Sequence, residues 1–333
     1  MRGRNGSGRV KRGALVTGGG HGNGGADVSG AATGGRAANG RPALVVCDLD
    51  GTLLDYHSTP APGVLHAVAA LRAAAVPVVI CTGRAVGATR ALAGRLGLEH
   101  GVAIAYHGAV VVDVAGGRWL QRLDLPRDAV GPLVAAIHGA GATLTAYVDD
   151  ERWVQAEPGC PAGAGDARAT SAAVNTSTSS PTAVPATTPT GAPTVVRPQR
   201  DLAAALEGVS VTRLIVEAPD GGSILDDLSA RWPELAVSPA AAGHLEIHHA
   251  RADKRTALAA LCGRLGVPAG AVVACGDGAP DAGMLSWAGL GIAIAEGHET
   301  AVAAADVVVA RDELAGLLTS LAGAPPQGSS RRR

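Results

Sequence analysis

Asp48 and Asp50 stand two residues apart in the pentapeptide Asp-Leu-Asp-Gly-Thr, residues 48–52, directly after the apolar run Ala43–Cys47. A carboxylate attacks phosphorus only when it is stripped of competing water and held by a cation. A second acid beside it must protonate the leaving oxygen and later activate water. Asp and Gly also populate solvated turns, but the whole pentapeptide at the end of a buried strand points to chemistry.

Three further polar clusters follow. Thr82-Gly83-Arg84 comes after the apolar run Val78–Cys81. A hydroxyl and backbone N–H groups at a helix start suit a phosphate oxygen, and Thr is equally a common helix N-cap, so both roles stay open. Lys254 opens a helix just after Asp253. Alone it reads as an exposed lysine; as a phosphate partner it would neutralise developing charge. In Gly276–Asp281, GDGAPD, the carboxylates Asp277 and Asp281 flank a glycine turn after another apolar run. That pairing suits Mg2+, which takes a few carboxylates together with water and phosphate oxygens.

Such clusters need strands that end side by side, because ligands of open α/β sheets bind at the carboxyl ends of the strands. The pattern supplies them. Continuous apolar runs at 43–47, 78–81 and 102–105 predict buried strands, and Val64, Leu65, Val68 and Leu71 predict one face of an intervening helix. Residues 85–96 predict a second helix, ended by Gly97. Strand, helix, strand, helix, strand indicates a parallel sheet. The same texture returns with a helix over 254–265 and strands at 271–275, 291–295 and 307–309. Between them, strands at 143–148, 153–157 and 211–216 and helices near 128–140, 200–207 and 222–231 predict a separate α/β domain. The expected organisation is a Gly-rich disordered leader (1–41), a Rossmann-like parallel-sheet core in two parts (42–112 and 246–322), an inserted α/β domain (113–245) interrupted by a disordered Ser/Thr/Pro/Ala tract (160–198), and a flexible tail (323–333).

Composition excludes other classes. Net charge is −1, no long basic run lies outside the tails, and only four Trp, three Tyr and no Phe occur. Neither an electrostatic footprint for nucleic acid nor stacking platforms are present. No stretch approaches the roughly 20 apolar residues of a membrane span. Five scattered Cys without CxxC spacing disfavour zinc and a disulfide framework and fit a reducing, cytoplasmic setting. Cys47, Cys81 and Cys275 read as small buried residues at strand ends. Thr17–Gly24, TGGGHGNG, has nicotinamide-binding spacing, but its mechanism requires a good strand before and a helix after, and the sequence offers neither. His248 and His249 are adjacent on an expected strand, where side chains point to opposite faces and cannot share a metal.

The four clusters, in this order and at these strand ends, closely resemble the signature motifs of the haloacid dehalogenase superfamily. Met284–Leu285 and the stretch 291–308 look like its Cof-type branch, and the insertion between Thr82 and Lys254 matches that branch's C2-type cap. The resemblance covers about residues 42–320, less 160–198. It implies a phosphatase with Asp48 as nucleophile, Asp50 as general acid and then base, and Thr82 and Lys254 on the phosphoryl group, with Gly83 and Arg84 lining the substrate; His107 is expected to face the substrate as well. It also implies Mg2+ held by Asp48, the main-chain carbonyl of Asp50, Asp277 and Asp281. The substrate class it implies is a small phosphorylated metabolite, such as a sugar phosphate.

The chain departs from the family pattern where the family usually has Asn: here stand His107, Pro280 and Glu296. Arg251 and Arg255 replace glycines flanking the motif lysine. A phosphomutase or phosphotransferase of the same layout, and a phospho-ligand-binding protein without catalysis, are the alternatives. Substrate identity and oligomeric state are not written in the motifs.

Overall fold

The computed structural model describes residues 14–15, 41–55, 57–156, 195–217, 231–241 and 244–323. Thr17–Gly24, residues 160–194, most of the helix expected over 222–231 and the tail from residue 324 lie outside them. The chain divides into two compact units: Met1–Asp55 with Pro60–Val78 and Cys262–Arg333, and Tyr56–Thr59 with Val79–Leu261. The change of texture read at 113 and 246 falls within the second unit.

The first unit is built on parallel strands. Leu44–Cys47 pairs with Val272–Gly276, that strand with Leu290–Ile294, and that one with Val307–Val309. The two residues Ala14–Leu15 add a further parallel pairing to Val307 and Val308, which corrects, at these two residues, the expectation of a disordered leader over 1–41. Leu44–Cys47 and Val272–Gly276 are buried throughout, as strands covered on both faces must be. Helices Ala282–Trp287 and Glu299–Ala304 connect successive parallel strands. Helix Val64–Ala73 packs against helix Arg311–Leu321, and Gly63 permits the approach, since a Cβ there would lie 3.1 Å from the Ala315 side chain. The inward face of the first of these helices is Val64, Ala67, Val68 and Leu71. Leu65, expected on that face, is instead 51% exposed, because one residue on from Val64 turns about 100° away from it.

In the second unit, Val78–Cys81 runs parallel to Val102–Ala105, with Ile80 opposite Ala103. Val110–Asp113 and Trp119–Arg122 then continue antiparallel. A second sheet has the order Leu235–Ala241, His244–His249, Arg213–Glu217, Thr143–Val148, Glu151–Gln155, Val196–Gln199. Alternation decides its faces: Leu144, Ala146 and Val148 point inward from one strand, Leu214 and Val216 from its neighbour. They meet Ala129, Val130, Leu133, Val134 and Ile137 of helix Arg127–Gly139. Val196–Gln199 corrects the expectation of disorder through residue 198. It pairs in parallel with Arg152–Gln155, and its β-branched start together with a position at the sheet edge, where Pro198 forfeits no required hydrogen bond, explains the strand.

The four described cysteines, Cys47, Cys81, Cys262 and Cys275, are free and buried, as read for the three at strand ends. No helix among the described residues is long and apolar enough to cross a membrane. Leu71→Ala is expected to cost about 2–5 kcal/mol, whereas Leu65→Ser stays within about 0.5 kcal/mol of the parent; urea unfolding followed by circular dichroism measures both.

Candidate active site

In the first unit, the strand Leu44–Cys47 delivers Asp48, whose N–H donates to the Cys275 carbonyl (2.9 Å) on the neighbouring strand. That neighbour delivers Asp277. Ligand oxygens of Asp48, Asp277 and Asp281 all lie within 4.8 Å of one another, and all three residues are buried. Asp281 reaches the cluster by a local turn: its Oδ2 accepts from the N–H groups of Asp277 (3.1 Å) and Gly278 (2.8 Å). Thr52, the last residue of the pentapeptide, donates its hydroxyl to Asp277 Oδ1 (2.7 Å) across 225 positions of sequence.

Backbone without side chain is what lets these groups approach. Gly51 has φ +84°, and a Cβ there would fall 2.1 Å from Asp277 Oδ2. A Cβ at Gly276 would meet Asp281 at 2.5 Å. At Gly297 it would meet the Asp277 carbonyl, also at 2.5 Å, while the His298 N–H donates to that carbonyl (2.7 Å). Asp50 bridges to Leu54 within the same loop, and Arg311 Nε holds the Gly51 carbonyl at 2.8 Å. Pro280 is accommodated simply: it lies in the first turn of the short helix Ala279–Asp281, where a missing N–H costs little. Glu296 is exposed.

In the second unit, Thr82, Gly83, Arg84 and His107 come together. The Thr82 N–H donates to the Ile104 carbonyl, the His107 N–H to the Thr82 carbonyl, and the Tyr106 N–H to the Arg84 carbonyl. Thr82 is not the N-cap of the following helix, which settles one of its two open roles. That helix spans Val86–Arg95 with Ala85 as its cap residue, too far along for Thr82 to reach; the Thr82 hydroxyl instead accepts from the Arg84 N–H (3.3 Å). The Arg84 guanidinium donates to the buried Ser58 hydroxyl (2.7 Å). The His107 ring lies against Gly83, where a Cβ would stand 2.2 Å from its Cε1 and Nε2. Lys254 is buried, 3% exposed, rather than the solvated lysine that its sequence alone suggests. Asp253 before it caps the helix through the Thr256 N–H (2.9 Å), and the Asp253 backbone packs on Gly108. Arg251 and Arg255 are exposed.

Several residues here carried no sequence signal. Arg213 lies over the rings of Tyr106 (4.7 Å) and Tyr147 (4.2 Å). It pairs with Glu246 at 3.1 Å and donates to the Gly83 carbonyl at 2.9 Å. Glu246 also faces His107, Nε2 to Oε2 3.6 Å, and the rings of His107 and His248 are 6.3 Å apart. Burial pushes the Glu246 carboxyl up, but Arg213, His107 and His248 outweigh it and hold the group down at about 2. Burial lowers His248. Burial and then the Asp150 charge raise the Tyr106 phenol well above its ordinary range. His248 and His249 share no metal cluster; among the described residues the only such grouping is Asp48, Asp277 and Asp281.

The Glu246 shift has a signed consequence. Its folded value lies below the ordinary 4.5, so the stabilisation is complete above about 4.5 and is lost as pH falls through about 2. Glu246→Gln is expected to cost about 3 kcal/mol at pH 7, with the deficit shrinking as pH drops from 4.5 towards 2; urea midpoints measured across that range test it.

The comparisons agree with this construction. A family model for haloacid dehalogenase-like hydrolases matches residues 45–321. YxeH of Bacillus subtilis (strain 168), which carries a provisional phosphatase name, is 36% identical over 87 residues, 26% of this chain and 32% of its own length. A phosphoglycolate phosphatase of Methanopyrus kandleri is 39% identical over 98 residues, 29% of this chain and 41% of its own length. The chain thus aligns with less than half the length of these curated relatives. A haloacid dehalogenase-like hydrolase from Bacteroides thetaiotaomicron shares the fold with TM-score 0.67 at 19% identity, over 84% of this chain and 98% of the other. The subclass IIB sugar phosphatase BT4131 does so with TM-score 0.61 at 14% identity, over 84% and 97%. With its motif aspartates converging at the ends of adjacent parallel strands and the family match running across nearly the whole described chain, this protein belongs to the haloacid dehalogenase-like hydrolases.

Proposed function

We propose that the protein is a Mg2+-dependent phosphatase that hydrolyses a small phosphorylated metabolite through an aspartyl-phosphate on Asp48. The convergence of the Asp48, Asp277 and Asp281 carboxylates within 4.8 Å, in buried surroundings, carries the reading. The donor set fits the metal: hard carboxylate oxygens are what Mg2+ selects, and by the family resemblance the main-chain carbonyl of Asp50 would join them. Bound there, the ion would offset negative charge on the phosphoryl oxygens.

The remaining chemistry belongs to side chains. A carboxylate oxygen of Asp48 forms a bond to phosphorus as the bond to the leaving oxygen breaks, and protonated Asp50 gives that oxygen its proton. Asp50, now a carboxylate, takes a proton from water, whose oxygen attacks the same phosphorus. The Asp48–phosphorus bond breaks, inorganic phosphate departs, and both aspartates return to their starting states. Motif order assigns Thr82 and Lys254 to the phosphoryl group, and Gly83, Arg84 and His107 line the substrate. Residues 113–245 serve as the cap that sets specificity and excludes water. The names of two relatives, a phosphoglycolate phosphatase and a sugar phosphatase, support a small phosphorylated metabolite as substrate.

Phosphate release from a panel of phosphorylated metabolites, with Mg2+ or EDTA, is expected to require the metal and to fall more than about 10³-fold in Asp48→Asn. His107→Ala is expected to reorder the substrates. A folded wild type that binds Mg2+ yet moves phosphate only to a second hydroxyl, or turns over nothing, would sink the phosphatase reading.

A further inference from the structure

Asp149 and Asp150 form the two-residue connection between strands Thr143–Val148 and Glu151–Gln155, with Val148 opposite Glu151. Both have positive φ, 48° and 70°. Two consecutive positive φ values are what a type I′ hairpin turn demands, and Asn-Gly is the residue pair that fits them without strain. An aspartate at the second position is a poor local choice. Backbone strain of this kind persists where the surroundings use it.

The Asp150 carboxylate is fully engaged elsewhere. Its Oδ1 accepts from the Val86 N–H (2.7 Å) and the Tyr106 hydroxyl (2.6 Å), and its Oδ2 accepts from the Gly87 N–H (2.5 Å). Val86 and Gly87 are the first residues of a helix whose own cap residue, Ala85, offers no side-chain acceptor. Asp150 therefore supplies, from 64 positions away, the acceptors that a helix start lacks. It also occupies the anion slot that the Thr82 turn was expected to offer at that helix N-terminus.

That leaves the Thr82 turn held from several sides. Three backbone bonds tie it to residues 104–107. Arg213 grips the Gly83 carbonyl, and the other end of that peptide, the Arg84 N–H, donates to the Thr82 hydroxyl. Asp150 fixes both the helix that leaves the turn and Tyr106, the residue before His107.

We propose that Asp150 is a positioning residue: its carboxylate locks the start of helix Val86–Arg95 and Tyr106 so that the Thr82 hydroxyl and the turn around it are preorganised for a phosphoryl group. This inference rests on the phosphatase reading. Preorganised contacts lose much of their value when their supports loosen, so the effect is expected on phosphate affinity.

The test uses Asp150→Gly, Asp150→Asn and Thr82→Ala in the full chain. Both residues placed at 150 tolerate positive φ, so the hairpin keeps its turn while the carboxylate is lost. Binding of inorganic phosphate in the presence of Mg2+ is measured by calorimetry, with kcat and KM on para-nitrophenyl phosphate and melting curves alongside. Asp150→Gly is expected to weaken phosphate binding and lower kcat/KM about tenfold or more, with Asp150→Asn intermediate. Folded variants at 150 that bind phosphate within twofold of wild type, whatever their melting temperature, would overturn the inference, marking Asp150 as structural only. Unfolding of both variants would overturn it as well, since the role claimed is separable from folding. Thr82→Ala with undiminished phosphate binding would instead strike at the reading beneath it.

Discussion

Like charges held close together dominate the first unit. Carboxylates gathered within 4.8 Å repel one another, and burial strips away the water that would otherwise screen them. The fold answers with donors placed one at a time: the Thr52 hydroxyl on Asp277, two backbone N–H groups on Asp281, and the Arg311 guanidinium on the loop that holds Asp50. Gly51 and Gly276 leave Asp277 and Asp281 the room to take up these positions, since a Cβ at either would collide with a carboxylate. The parallel strands, the tight turns and the omitted Cβ atoms are all consequences of assembling negative charge in a dry place.

The second unit solves the opposite problem, a buried guanidinium. Arg213 is placed over two tyrosine rings and against Glu246. Planar geometry and weak hydration make arginine suited to that setting, where lysine would not substitute. From there it reaches the Gly83 carbonyl, so the same side chain that balances charge in the second sheet also fixes a peptide next to Thr82.

How much of this could be read beforehand follows from sequence separation. Asp48, Asp277 and Asp281 were legible because carboxylates at the ends of apolar runs are conspicuous, and strand ends bring them together. The strands at 78–81, 102–105, 143–148 and 307–309 and the helix at 254–265 match their expected bounds, since continuous or alternating apolar patterns state burial directly. Leu65 misled because an apolar residue beside a helical stripe looks like part of it. Thr82 looked like a cap because residue type cannot show that Asp150, far along the chain, already fills that place. Arg213 and Glu246 were silent for the same reason: each is an ordinary charged residue on a strand, and only the pairing of that strand with His244–His249 makes them partners.

The first unit is also discontinuous, and that has a consequence in time. Thr52 and Asp277 are 225 positions apart, and at about 5–20 residues per second a ribosome needs roughly 10–45 s to travel between them. The nascent strand Leu44–Cys47 lacks its neighbour Val272–Gly276 throughout that interval, whereas the stretch Val79–Leu261 of the second unit is complete before the interval ends. Asp48, Asp277 and Asp281 thus become a cluster only after the last quarter of the chain has begun to emerge, and a truncated product of interrupted synthesis carries Asp48 without its two partners.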